Sequence, residues 1–193
     1  MPRLLRSPRN QSAVCRTNML ICLISTVSQR KKTTRQFNMT RTITEADIPA
    51  ITRVATASGL FTKDQLTLVH QMVMSALADS SSSSPFWLVR DHVTVQAIAY
   101  SEPERMTDGT WNIQLIAVSP ECQRSGIGRH MLADVEQQLR DRGARVVLVE
   151  TSGTDDLGYV RGFYASSGFT KEARIREFYA EGVDKVTYRK SLS

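Results

Sequence analysis

Gln123-Arg124-Ser125-Gly126-Ile127-Gly128 is the stretch of this sequence whose residue types and spacing most directly imply chemistry. It follows an apolar, β-prone run that ends at Ser119-Pro120 and precedes a helical repeat, so it lies where a strand hands over to a helix N-terminus. Such a terminus carries N–H groups without intrahelical partners and a partial positive charge, and therefore binds phosphate. Gly126 and Gly128 let the backbone approach phosphate oxygens, and Arg124 and Arg129 add charge. A plain strand-to-helix turn is the alternative reading of so short a glycine pattern. The common nucleotide fingerprints do not fit: the residue three after Gly128 is Met131, and no G-K-[ST] follows. The expected ligand is the phosphate of some other cofactor.

Other chemistries find little support. His70, His92 and His130 lack partners at metal-ligand spacing, and Cys15, Cys22 and Cys122 form no C-x-x-C pair, so no metal is expected. Ser80–Ser84 reads as a flexible loop, not as a nucleophile elbow. The formal charge of +6 comes from residues 1–38, which hold eight Lys or Arg and no acid; the remainder has 17 basic and 19 acidic residues, a net of −2. A nucleic-acid partner is therefore not expected. The longest apolar run, Met19–Val27, is too short to span a bilayer, so no membrane partner is expected either. Three cysteines without a framework suit a reducing, cytoplasmic compartment.

Residues 1–38 differ in composition from all that follows. A transit peptide, a poor secretory signal and upstream sequence ahead of a true start at Met39 are the three readings, and the last is preferred. Disorder is expected there, with one folded domain over 39–193.

The elements that would position the glycine loop follow from periodicity. Arg41–Ile43 reads as a short strand, Thr44 with Asp47 as a capped helix start running to about Ala57, and Thr62 as the cap of a second helix with Leu66, Val69, Val73, Ala76 and Leu77 on one face. Phe86–Arg90 and Val93–Tyr100 read as a hairpin, Ser101–Gly109 as a polar loop, and Trp111–Val118 as a strand stopped by Pro120. Ile127, Met131, Leu132, Val135 and Leu139 mark a helix over 126–142 closed by Gly143. A buried strand over 145–151, a short helix over 157–166 and strands near 169–178 and 185–190 complete the chain. The order β-α-α-β-β-β-α-β-α-β-β predicts an α/β fold with a mixed sheet, helices on both faces and one parallel βαβ unit.

Gln123–Gly128 resembles the Q/R-x-x-G-x-G/A loop of the GNAT superfamily of N-acetyltransferases, and Phe163-Tyr164-Ala165-Ser166-Ser167-Gly168-Phe169 is similar to its xYxxxGF segment. The resemblance runs from about Thr40 to Leu192. It implies a GNAT-like acyl-CoA N-acyltransferase fold and transfer of an acetyl group from acetyl-CoA to a primary amine, small molecule or protein, by direct attack in a ternary complex. It implies that Gln123, Arg124, Ser125, Gly126, Ile127, Gly128 and Arg129 hold the coenzyme pyrophosphate. It also implies that the fourth and fifth strands splay apart, that pantetheine bonds to backbone at Ile116, Ala117 and Val118, and that an N–H there polarises the thioester.

In this resemblance Tyr164 protonates the departing thiolate, and core packing of the ring is the alternative. The base position of many members falls on Asn112, which cannot take a proton; Glu150, read equally as a surface or salt-bridged carboxylate, and relayed water remain as candidates. Leu157 stands near where many members carry an Asn, after a 151–156 segment that is two residues longer than usual. A homodimer is a possible assembly. The competing function is a non-catalytic acyl-CoA-binding module on the same fold.

Overall fold

The computed structural model describes residues 39–192 apart from Leu60, Thr62 and Ser80. The expectations for 1–38 and for a cap at Thr62 lie outside the described residues. Within them the chain runs β1 (Met39–Thr42), α1 (Ile48–Ala57), α2 (Lys63–Ala78), β2 (Phe86–Asp91), β3 (Val95–Pro103), β4 (Thr110–Val118), α3 (Ile127–Asp141), β5 (Val146–Ser152), α4 (Gly158–Ser166), β6 (Thr170–Ala180) and β7 (Val183–Ser191). The strands form one sheet in the order β1-β2-β3-β4-β5-β7-β6. Among the described residues β4 and β5 are the neighbouring strands that run parallel, joined by the crossover helix α3; every other neighbouring pair is antiparallel.

The α/β reading and the element order hold, with shifted ends. β1 covers Met39–Thr42 and leaves Ile43 outside. A 3-10 turn, Glu45–Asp47, precedes α1, and another, Asp155–Leu157, precedes α4. β3 extends to Pro103, into the stretch read as a loop. The reason is alternation: Tyr100 and Glu102 share a face, and Pro103, which lacks a backbone N–H, falls at the last strand position, where the ladder tolerates it.

β2, β3 and β4 are buried at successive positions, so both of their faces are covered. α1 contacts β3 and β4, α2 contacts β2, and α3 contacts β3 and β4. α3 turns Ile127, Met131, Leu132, Val135 and Leu139 inward, and all five are buried, as its periodicity predicts. Each such side chain contributes roughly 1.5–3 kcal/mol by leaving water. On α2, Val69 and Val73 are buried, Leu66, Ala76 and Leu77 pack half-buried against the core, and Leu68 and Met74 face outward. β6 is an edge strand exposed along almost its whole length, where Lys171, Glu172, Arg174, Arg176 and Glu177 discourage pairing with another chain.

The serine segment is anchored. Arg142, just past α3, donates Nη1 to the carbonyls of Ser81 (3.1 Å), Ser82 (3.2 Å) and Ser84 (3.0 Å), and its guanidinium lies 4.4 Å from the centre of the Phe86 ring.

Candidate active site

The parallel ladder between β4 and β5 is short. Its rungs are Thr110–Val146, Trp111–Val147, Asn112–Leu148 and Ile113–Val149, and it stops there. β4 continues along β3, with Ile116, Ala117 and Val118 opposite Ala99, Ile98 and Ala97. β5 continues along β7 to the Ser152–Lys185 pair. From Gln114 onward the two strands therefore part, each keeping its outer partner, and the edge of β4 that carries Ile116–Val118 faces the gap. A register shift in the β3–β4 ladder, where Tyr100 pairs with Leu115 but Ser101 with Ile113, bends β4 at the level where the gap opens.

Above this gap β4 runs into the glycine loop. Gln123 Nε2 donates to the Val118 carbonyl at 2.9 Å and ties the loop back to the strand end. Arg124 (φ 57°) and Gly126 (φ 87°) both take left-handed backbone. A Cβ on Gly126 would lie 3.9 Å from His130 Cε1, so glycine is required there by φ and not by space. The N–H groups of Arg129 and His130 both donate to the Gly126 carbonyl at 3.1 Å. The helix ladder begins there, so the N–H groups of Gly126, Ile127 and Gly128 stand ahead of it at the positive end of α3. Arg129 reaches across to Ser166 on α4, its Nη2 3.5 Å from Ser166 Oγ.

Tyr164 lies on the inner face of α4 and is 1% exposed. Its ring meets Phe163 at 5.1 Å, Phe169 at 5.4 Å and Tyr188 of β7 at 6.3 Å between centres. Tyr188 pairs with Val149, the last β5 residue of the parallel ladder. Tyr164 is thus held by aromatic packing on the sheet face that carries Ile113 and Val149, at the level where the gap opens. The β5–α4 connection is fastened by Arg161, whose Nη1 donates to the Ser152 (2.8 Å) and Thr154 (2.7 Å) carbonyls.

Glu150 lies on the opposite face, one residue past the last rung, paired with Lys185 Nζ at 2.9 Å. Asn112 is buried, and its Nδ2 donates to Glu104 Oε1 at 3.0 Å. Beside it is a carboxylate absent from the sequence-based candidates. Glu102 on β3 accepts from Gln114 Nε2 at 2.8 Å through Oε1 and from the Tyr100 hydroxyl at 3.1 Å through Oε2. Burial, then the neighbouring Glu102 charge, pushes the Tyr100 phenol far up, which keeps it a proton donor to that carboxylate. Period-two spacing of Tyr100, Glu102 and Glu104 is the signal that locates these residues, and reading the segment as a loop hid it. Among the described residues no group of His, Cys, Asp and Glu is arranged to hold a metal ion. No described helix is long and apolar enough to cross a membrane.

The family profile described as "Acetyltransferase (GNAT) domain" matches residues 57–192. A search by sequence among curated proteins finds no match. Among solved structures, an acetyltransferase assigned to the GNAT family of Desulfovibrio desulfuricans is 30% identical with a TM-score of 0.77, over 81% of this chain and 100% of that one. The ribosomal-protein-S18-alanine N-acetyltransferase of Escherichia coli is 20% identical with a TM-score of 0.63, over 81% and 95%. Salmonella typhimurium yncA, solved with its cofactor acetyl-CoA, is 19% identical with a TM-score of 0.65, over 81% and 95%. The last two share the fold. With a profile match across most of its length and a relative at 30% identity, the chain belongs to the GNAT family and is an acetyltransferase.

Proposed function

We propose that this acetyltransferase transfers an acetyl group from acetyl-CoA to a primary amine, by direct attack within a ternary complex. The observation that carries the reading is the alignment of the β4–β5 gap with the phosphate-binding end of α3. A coenzyme with a pyrophosphate at one end and a thioester on a long polar arm at the other matches that pair of features. Gln123 to Arg129 would hold the pyrophosphate, through the N–H groups at the helix end and the charges of Arg124 and Arg129. The open backbone edge at Ile116, Ala117 and Val118 would hydrogen-bond the arm, and an N–H on it would polarise the thioester carbonyl. The coenzyme supplies an activated acetyl group; the protein orients it and the amine. Tyr164 donates a proton to the departing thiolate from the face that carries Val149.

The test is release of free thiol from acetyl-CoA by the full chain with a panel of primary amines, comprising an alkyl diamine, an amino-acid amide and a peptide with a free N-terminus. Turnover with at least one amine is expected. Tight binding of acetyl-CoA with no turnover on any of them would leave the acetyl-transfer reading without an acceptor of this class.

A further inference from the structure

The gap between β4 and β5 has two faces, and the reading above uses only one of them for proton transfer. Ile113 and Val149 are the last paired residues of the parallel ladder, so Gln114 and Glu150 stand level with each other, first past its end, on the face opposite Tyr188 and Tyr164. Side chains from neighbouring rungs converge here: Glu102, opposite Asn112 on the last rungs of the closed ladder, meets Gln114, and Lys185, opposite Ser152, meets Glu150. The row is polar, and its members are half-buried rather than sealed. An amine approaching the thioester from this face meets two carboxylates, one on each side of the gap.

The two are not equivalent. Glu150 is neutralised by Lys185, itself 12% exposed, at 2.9 Å. That ammonium repels an incoming alkylammonium. Glu102 is held instead by two neutral donors, the amide of Gln114 and the phenol of Tyr100. They fix its orientation while leaving its charge uncompensated. The side chains of the surrounding strands on this face that carry or can carry charge are Tyr100, Glu104, Glu150, Lys185 and Arg189, and among the described residues no cation forms a salt bridge with Glu102.

We infer that Glu102 is the general base of the reaction, a carboxylate on β3 doing what Asn112 on β4 cannot. Resting on the acetyl-transfer reading, the step balances as follows. The ammonium of the acceptor gives one proton to the Glu102 carboxylate. The freed nitrogen lone pair forms the N–C bond to the thioester carbonyl carbon, the C–S bond breaks, and its electron pair leaves on sulfur, which takes its proton from Tyr164. The acylated nitrogen then gives its second proton through water to the Tyr164 phenolate, restoring the phenol, and Glu102 releases its proton to solvent. Base and acid act from opposite faces of the sheet, with the gap between them. Gln114 is a positioning residue: it fixes the Glu102 carboxylate at the edge of the gap.

The test compares kcat/KM against pH for the parent, Glu102→Gln and Glu150→Gln, using two acceptors of different basicity: a peptide α-amine, with a pKa of about 8, and a lysine-like amine, of about 10.4. Glu102→Gln should lose roughly 10²-fold or more at neutral pH. The loss should shrink as pH rises through the pKa of the acceptor, because a free amine needs no base. The pH of convergence should differ by about two units between the acceptors. Calorimetric affinity for acetyl-CoA should hold. Gln114→Met should show the same pH signature with a smaller loss, which covers the case of a poorly folded Glu102 variant. A pH-independent loss, no loss, or the signature appearing in Glu150→Gln instead would each overturn the inference. A parent protein that turns over no amine would overturn the acetyl-transfer reading beneath it, and so the two failures are distinct.

Discussion

At the scale of single residues, the site depends on backbone as much as on side chains. Gly126 sits at φ 87°, where a Cβ would make only ordinary contact with His130, so two substitutions separate conformation from charge. Gly126→Ala strains the left-handed backbone by about 1–2 kcal/mol without adding charge. Gly126→Asp adds an anion where the coenzyme phosphates are expected. Calorimetry should show a modest loss of acetyl-CoA affinity for the first and a loss of more than 10²-fold for the second; equal affinities would remove the loop from coenzyme binding. Tyr164 is the second such residue. Its ring is fixed by Phe163, Phe169 and Tyr188, so Tyr164→Phe keeps the ring packing and removes the hydroxyl. A phenol with an ordinary pKa of about 10 is protonated at neutral pH and can serve a leaving thiolate. Turnover should fall roughly 10²-fold with coenzyme affinity unchanged. A variant as active as the parent would reduce Tyr164 to a packing residue.

At the scale of elements, the end of α3 fastens a segment distant in sequence. Arg142 bonds three carbonyls of the serine segment and stacks on Phe86, with Trp111 5.7 Å from its guanidinium. Burial lowers its pKa, yet an arginine stays charged, so these contacts persist at all working pH values. Hydrogen bonds from a charged donor and cation–π stacking are each worth about 1–3 kcal/mol. Arg142→Ala should lower stability by about 2 kcal/mol in urea titration. Arg142→Lys should recover only part of this, because an ammonium lacks the planar fork. If the alanine variant unfolds at the parent's urea midpoint, the anchor is without energetic weight.

At the scale of the whole molecule, acid stability has a named contributor. Asp47 closes the turn ahead of α1, accepting from the Thr44 N–H (2.7 Å) and hydroxyl (2.9 Å), and pairs with Arg41 on β1 at 2.7 Å. Arg41 also bridges to Asp91 on β2 at 2.7 Å, so one cluster joins the first strand, the second strand and the first helix. The Arg41 hydrogen bond, opposed by burial and aided by Thr44, holds the Asp47 pKa down to about 2 from 3.8. A depressed carboxylate pKa means that the unfolded chain takes up the proton first. The stabilisation is whole above about pH 4 and is lost as pH falls through 2. Because the Arg41 side chain is 40% exposed, its worth is discounted to roughly 1–2 kcal/mol. Asp47→Asn should lose about that much at neutral pH, and its melting temperature should fall less steeply than the parent's between pH 4 and 2. Parallel acid profiles would show that the cluster does not couple folding to protonation.

What the sequence determined by itself was local. A 3.6-residue period specified the apolar buried face of α3, though not the buried Glu136, and Gly126 permitted the left-handed backbone that the turn adopts. The order of elements made β4-α3-β5 a parallel βαβ unit, because a strand-helix-strand crossover returns the chain in the same direction. The role of Glu102 was not local. Its meaning comes from Gln114, twelve residues away on the next strand, and from a gap that opens only because β4 keeps β3 while β5 keeps β7. Glu150 read from the sequence equally as a base or as a surface or salt-bridged carboxylate, and the fold brings Lys185 against it. Periodicity records which face a residue takes, but the charge environment of a carboxylate is set by strands that meet only in the folded sheet, and tertiary structure alone decided that Glu150 meets a cation while Glu102 meets two neutral donors.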